Sequence, residues 1–144
     1  VTMCSFSVPS VKALQEEALK EGYADYDHKP VYLRGYCVSP GIHLEKEGET
    51  LNFFAGMTLF KGDMDDFVSW PMKNAVRLSA IHPKGGTRQE FQVKGNISSI
   101  YFQKPAKTRN VGCYFGGSSF NLNDLVNGGY VEKDEILVEW ELML

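Results

Sequence analysis

The side chains able to do chemistry in this 144-residue chain are few and scattered. Three cysteines stand at 4, 37 and 113, and three histidines at 28, 43 and 82. A thiol nucleophile needs a base beside it and a third group to orient that base. No GxSxG sequence is present, and spacing alone does not show whether a cysteine meets a histidine, so a thiol hydrolase acting through Cys113 stays open as a rival reading. An odd cysteine count without CxxC spacing fits neither a disulfide framework nor a zinc site. Three reduced thiols in a cytosolic protein are expected. The acidic run Gly62-Asp63-Met64-Asp65-Asp66 fails as a calcium loop. With Asp63 as the first ligand, Val68 falls where an EF-hand needs Gly and Asn74 where it needs Glu. Gly85-Gly86-Thr87 lacks the GK[ST] of a phosphate loop and reads as a turn. No metal and no cofactor are expected. Lys104, Lys107 and Arg109 form a small cationic loop, either plainly solvated or an anchor for an acidic or phosphorylated ligand. Asn96-Ile97-Ser98 is a glycosylation sequon, relevant only to a secreted chain.

The elements that must position these groups follow from length and pattern. One domain, residues 1–144, is expected, with enough chain to bury a core unaided. Lys and Arg number 15 against 18 Asp and Glu, for a net charge of −3, which argues against a nucleic-acid partner. No apolar run approaches the roughly 20 residues of a membrane span. Thr2–Val8 reads as a first strand, Ser10 as a helix N-cap, and Val11–Glu21 as a helix stopped by Gly22. Beyond the helix the period changes to two. Strands are predicted at 31–33, 42–44, 51–60, 75–81, 90–93, 97–102 and 111–115, with a short helical turn at 121–127. Ile136, Val138, Trp140 and Leu142 alternate with wetter positions in a last strand. Many short strands with frequent turns predict an antiparallel sandwich.

Three ordered stretches then resemble a TRAF-type domain of the MATH family. Phe6–Leu14 and the helix after it resemble its opening strand and helix. Gly35-Tyr36, the strand into Gly62, and Asp65–Met72 (DDFVSWPM) resemble its passage through an acidic turn to Trp-Pro-Phe. Tyr101–Pro105 (YFQKP), Gly112-Cys113 and Tyr130–Glu135 (YVEKDE) resemble its C-terminal half. The resemblance implies an all-β, eight-stranded antiparallel sandwich with one N-terminal helix and one short C-terminal helical turn. It also implies a non-catalytic domain that takes short extended peptides of receptors or signalling proteins along an edge strand, and that forms homotrimers in its full-length context.

Carried over by residue, the resemblance implies a peptide site of His43, Ser98, Ser99, Phe102, Val111, Gly112, Cys113 and Tyr114. Gly112 matches a glycine that lets a foreign backbone approach, or is a bulge glycine. Cys113 matches a pocket-lining cysteine, or is core. Val111, Cys113 and Phe115 are expected on one face of their strand and Tyr114 on the other. Ser98 and Ser99 resemble a serine run that hydrogen-bonds a polar ligand side chain, or are hydroxyls in water. Phe102 matches a pocket aromatic, or is core. One departure stands out. Family members that read acidic motifs carry an Arg and, two residues on, an aromatic, where this chain has Gly41 and His43. Neutral His43 cannot fork onto a carboxylate as Arg does, although protonated it can pair with one.

The expected function is a cytoplasmic signalling adaptor domain, belonging to a chain that is in full length a RING-type ubiquitin ligase. The alternatives are a MATH-type module recruiting substrates to a ubiquitin ligase or deubiquitinase, and a secreted carbohydrate-binding sandwich with glycan at Asn96 and oxidised cysteines.

Overall fold

The computed structural model describes all of residues 1–144. Its strands are β1 (Met3–Val8), β2 (Tyr23–Asp27), β3 (Val31–Leu33), β4 (Tyr36–Glu47), β5 (Thr50–Phe60), β6 (Val76–Ile81), β7 (Gln89–Val93), β8 (Cys113–Tyr114), β9 (Phe120–Asn121), β10 (Val131–Glu132) and β11 (Glu135–Leu142). The helices are α1 (Val11–Glu21) and α2 (Leu122–Asn127). One antiparallel sheet runs β1-β11-β6-β7, with β10 beside β11. The other runs β2-β4-β5-β8, with β3 on β4 and β9 on β5. Seven strands of five residues or more carry the sandwich, and four of two or three residues finish its edges.

The last strand shows how pattern becomes packing. Ile136, Val138, Trp140 and Leu142 are each 0% exposed, while Leu137 between them is 41% exposed. Period-two alternation places the first set against the other sheet and the second in water. Across the core they meet Leu44, Phe53, Met57 and Leu59 of the β4–β5 hairpin within one apolar cluster. That hairpin closes through Gly48, whose φ of 64° suits the tight turn joining Glu47 to Thr50.

Three expectations are corrected. Ser10 does not cap α1: its φ is 55° and its hydroxyl makes no capping bond. Asp134 serves instead from a distant turn, its backbone oxygen accepting from Val11 N–H at 3.0 Å and its Oδ1 from Lys12 N–H at 2.9 Å. The strand predicted at 97–102 is a turn followed by a 3₁₀ helix at Ile100–Phe102. Asn96 Oδ1 accepts from Ser98 N–H at 3.0 Å and Ser99 Oγ from Tyr101 N–H at 3.2 Å, which withdraws those amides from any ladder. The strand predicted at 111–115 is regular only at Cys113–Tyr114. β2 was not predicted, because its two aspartates belong to a residue type depleted in strands.

Candidate functional site

β8 is the outer strand of its sheet. Cys113 lies opposite Met57 and Tyr114 opposite Gly56, and nothing pairs with the far side of the strand. Phe115 N–H donates to Ala55 O at 2.9 Å. Backbone polarity alternates along an antiparallel strand, so the N–H and C=O of Tyr114 face away from β5 into open space. Just before β8 the chain bulges. Arg109 sits opposite Phe60 and Cys113 opposite Met57, which sets three residues, 110–112, against two, 58 and 59. At Gly112 an added Cβ would stand 2.7 Å from Thr58 Oγ1, so the glycine serves its own bulge and keeps that flank bare.

Three adjoining hollows follow this edge. The first, about 430 Å³, is bounded by Asp27, Thr58 and Arg109–Gly112. The second, about 220 Å³, is bounded by Asp25, Asp27, His43, Gly56–Thr58 and Gly112–Tyr114. The third, about 550 Å³, lies beyond Tyr114 among Ser99, Tyr101, Phe102, Phe115 and Gly116. A separate hollow of about 500 Å³ beside α2 contains none of the eight candidate site residues.

The structure thus gathers seven of the eight candidate residues around one edge. Ser98 stays outside, exposed in its Asx turn. Ser99 contributes its hydroxyl to the turn that seats Phe102, which is 4% exposed and packs on Phe115 at 5.8 Å between ring centroids. The shared face expected for Val111, Cys113 and Phe115 is broken by the bulge: Val111 is 66% exposed and Phe115 is buried. Tyr114 points to the opposite face from Phe115, as alternation requires.

His43 departs most from expectation. It is 6% exposed, and both ring nitrogens are taken. Nδ1 lies 2.6 Å from Asp25 Oδ1 and Nε2 lies 2.6 Å from Glu45 Oε1. Carboxylates only accept, so the protonated ring, with an N–H on each nitrogen, is the form that satisfies both. Burial works against that charge, but the hydrogen bonds and charges of Asp25 and Glu45 outweigh it and raise the pKa. The Tyr114 ring stacks on His43 at 3.9 Å with 5° between planes, and Tyr23 lies near-parallel at 5.9 Å. The stack is possible because Gly41 and Gly56 face each other across β4 and β5 and leave the sheet bare beneath the tyrosine. His43 is therefore an internal tie between β2, β4 and β8, already paired with this chain's own acids.

The cationic loop is likewise engaged at both ends. Lys104 pairs with Asp66, and the Arg109 guanidinium lies over the Phe60 ring at 5.7 Å. Burial pushes the Cys113 thiol up to about 12. A nucleophilic cysteine needs its thiolate, and the nearby imidazole has no nitrogen left to act as base, so the arrangement suits binding rather than acyl chemistry. Asp25, Asp27 and Glu45 lie outside every predicted strand and Thr58 had no signal beyond lying in one; only register brings them to the edge.

The His43 tie carries a pH signature. A basic group whose folded pKa is raised contributes stability that is fully present below its unfolded value, about 6.5, and is lost as pH rises through the folded value. The urea midpoint is expected to be higher at pH 6 than at pH 8.5, and this difference is expected to shrink in His43→Gln, which cannot be protonated. An equal pH difference in both proteins would show that His43 contributes nothing to it.

An antiparallel two-layer sandwich whose outer strand β8 is flanked by hollows defines a class of interaction scaffold. Family comparison identifies which one: residues 31–139 match the TRAF/meprin, MATH domain model, and the chain belongs to that family of protein-interaction domains. It is 25% identical over 120 residues to TNF receptor-associated factor 6-A of Xenopus laevis, an alignment covering 77% of this chain and 22% of that protein. It superposes on the solved structure of Notothenia coriiceps TRAF5 with a TM-score of 0.77 and 22% identity, covering 99% of this chain and 73% of the other. The chain thus spans about a fifth of the frog protein it matches. No helix is long and apolar enough to cross a membrane.

Proposed function

We propose that this domain is a non-catalytic adaptor module that binds a short extended peptide of a receptor or signalling protein as an added strand along β8. The observation that carries this reading is the outward-facing backbone of Tyr114 on an unpaired edge, with hollows on both sides. Strand addition uses such groups for affinity and flanking hollows for side-chain choice. One peptide strand buries little area, so the single-site Kd is expected in the micromolar range or weaker. In a longer cytoplasmic chain, trimerisation would raise apparent affinity by about 10² or more through avidity. Attachment to a RING or other ubiquitin-transfer module belongs to the same proposal and rests on the family resemblance. The test is a peptide library probed with the purified domain and with Gly112→Trp, which fills the groove. Peptides captured by the first and not the second support the reading. Equal capture by both places the site elsewhere.

A further inference from the structure

We infer that His43 is a positioning residue for the peptide edge: its imidazolium holds the Tyr114 ring flat against the sheet, so that the domain takes a peptide tightly with that proton in place and loosely without it. The inference rests on the edge-strand reading above and adds regulation of that site by pH.

β8 has little to keep it in line. It pairs with β5 at two positions, the bulge at 110–112 leads into it, and Gly116 and Gly117 follow, Gly117 with a φ of 94°. Towards the core, Phe115 is buried. On the outer face the strand places Tyr114, whose ring meets His43 at 3.9 Å and lies tilted against Phe54 at 5.1 Å. The N–H and C=O offered to a peptide belong to this same residue. Rotamer and backbone are coupled, so the seat of the Tyr114 ring sets how its backbone is presented.

The proton on His43 makes that seat. With an N–H on each nitrogen, the ring donates to Asp25 of β2 and to Glu45 of β4, both at 2.6 Å. Held at both nitrogens, it presents a fixed plane, and the Tyr114 ring lies within 5° of it. The cation also attracts the π face of the tyrosine. Loss of the proton leaves a lone pair facing one of the two carboxylates. That contact turns repulsive, the imidazole swings away from it, and the flat surface and the cation–π attraction go together.

The other groups around the ring supply no replacement. Tyr23 of β2 and Phe54 of β5 pack against it as rings. Asp27 of β2 bounds the same hollow, and Glu47 of β4 acts on the Tyr114 hydroxyl; both are carboxylates. In β8 the Cys113 thiol, pushed up to about 12 by burial, stays neutral. Burial, with Glu45 and Glu47, raises the Tyr114 hydroxyl, which stays neutral too. The sign follows from His43 alone. Its folded pKa is raised above the ordinary 6.5, so the tight form persists at lower pH and is lost as pH rises through the folded value.

The test follows the His43 ring by NMR and peptide affinity by fluorescence polarisation across the same pH series. The probes are peptides captured in the library screen, remade with blocked N-termini and without His or Cys, so that the ligand contributes no titration in this range. Affinity is expected to be about tenfold weaker on the alkaline side of the His43 midpoint than on the acid side. Linkage is reciprocal, so saturating peptide is expected to move that midpoint up by about one pH unit. His43→Gln is expected to bind independently of pH, at about the parent's alkaline affinity. In Tyr114→Leu the ring is expected still to titrate while affinity no longer follows it, a separation that a merely misfolded variant would not produce. Equal affinity on both sides of the midpoint, or a His43→Gln that follows pH as the parent does, overturns the inference and leaves the edge-strand reading standing. Failure of every peptide to bind at any pH overturns the edge-strand reading and this inference with it.

Discussion

Replacing Trp140 with alanine is expected to lower folding stability by about 3–5 kcal/mol. The indole is 0% exposed at the centre of β11, so its loss removes a large apolar body and leaves a cavity. Neighbours cannot close over it readily, because β11 is held on both sides, by β1 and β6. The side chain also spans the sandwich: its Nε1–H donates to Gly56 O at 3.0 Å, joining one sheet to the other. Trp140→Phe keeps most of the bulk and deletes only this donor, so a smaller cost of about 1–3 kcal/mol is expected. With total stability of about 5–15 kcal/mol for a typical domain, the alanine variant would sit near its unfolding threshold. Urea unfolding followed by circular dichroism measures both. A loss under about 1 kcal/mol for Trp140→Ala would mean that the core is not organised around this residue. Gly56 is also the floor of the groove, so Trp140 supports the site from beneath.

The second large effect concerns binding. Gly112→Trp is expected to weaken peptide binding by about 100-fold or more, the scale of losing well-placed contacts at the centre of an interface. Gly112 bounds two of the three hollows, and its side of the bulge is bare. An indole there fills the path that a ligand side chain must take. The fold is expected to survive, because Gly112 does not have a left-handed φ. The Thr58 hydroxyl, 2.7 Å from the new Cβ, has to rotate aside, a strain of about 1–3 kcal/mol. A folded Gly112→Trp that binds the selected peptides as tightly as the parent would move the site off this edge.

What could be read from sequence divides along physical lines. Alternation in β11 was legible because one face is wholly buried and the other wet, and the order of family-like stretches was legible because it spans the chain. The 97–102 segment was misread because its apolar residues have strand-like types while Asn96 and Ser99 divert the amides into local turns. The bulge before β8 was invisible because it depends on pairing with β5, which lies some fifty residues earlier. It decides that Val111 faces water although Phe115 is core. His43 was noticed only as a departure from the family pattern. Its partners Asp25 and Glu45 come from register, since Asp25 lies directly opposite His43 across β2 and β4. The aspartates that made β2 unreadable as a strand are the residues that give the groove its charge.

The most direct measurement of the central claim is amide hydrogen exchange at Tyr114 with and without saturating peptide. In the free domain this N–H faces solvent from an unpaired edge, whereas Phe115 N–H is already bonded to Ala55 O. The expected result is a large gain of protection at Tyr114 on binding, with Phe115 changing far less. A peptide that binds at full occupancy while Tyr114 exchanges as fast as before would contradict strand addition at β8.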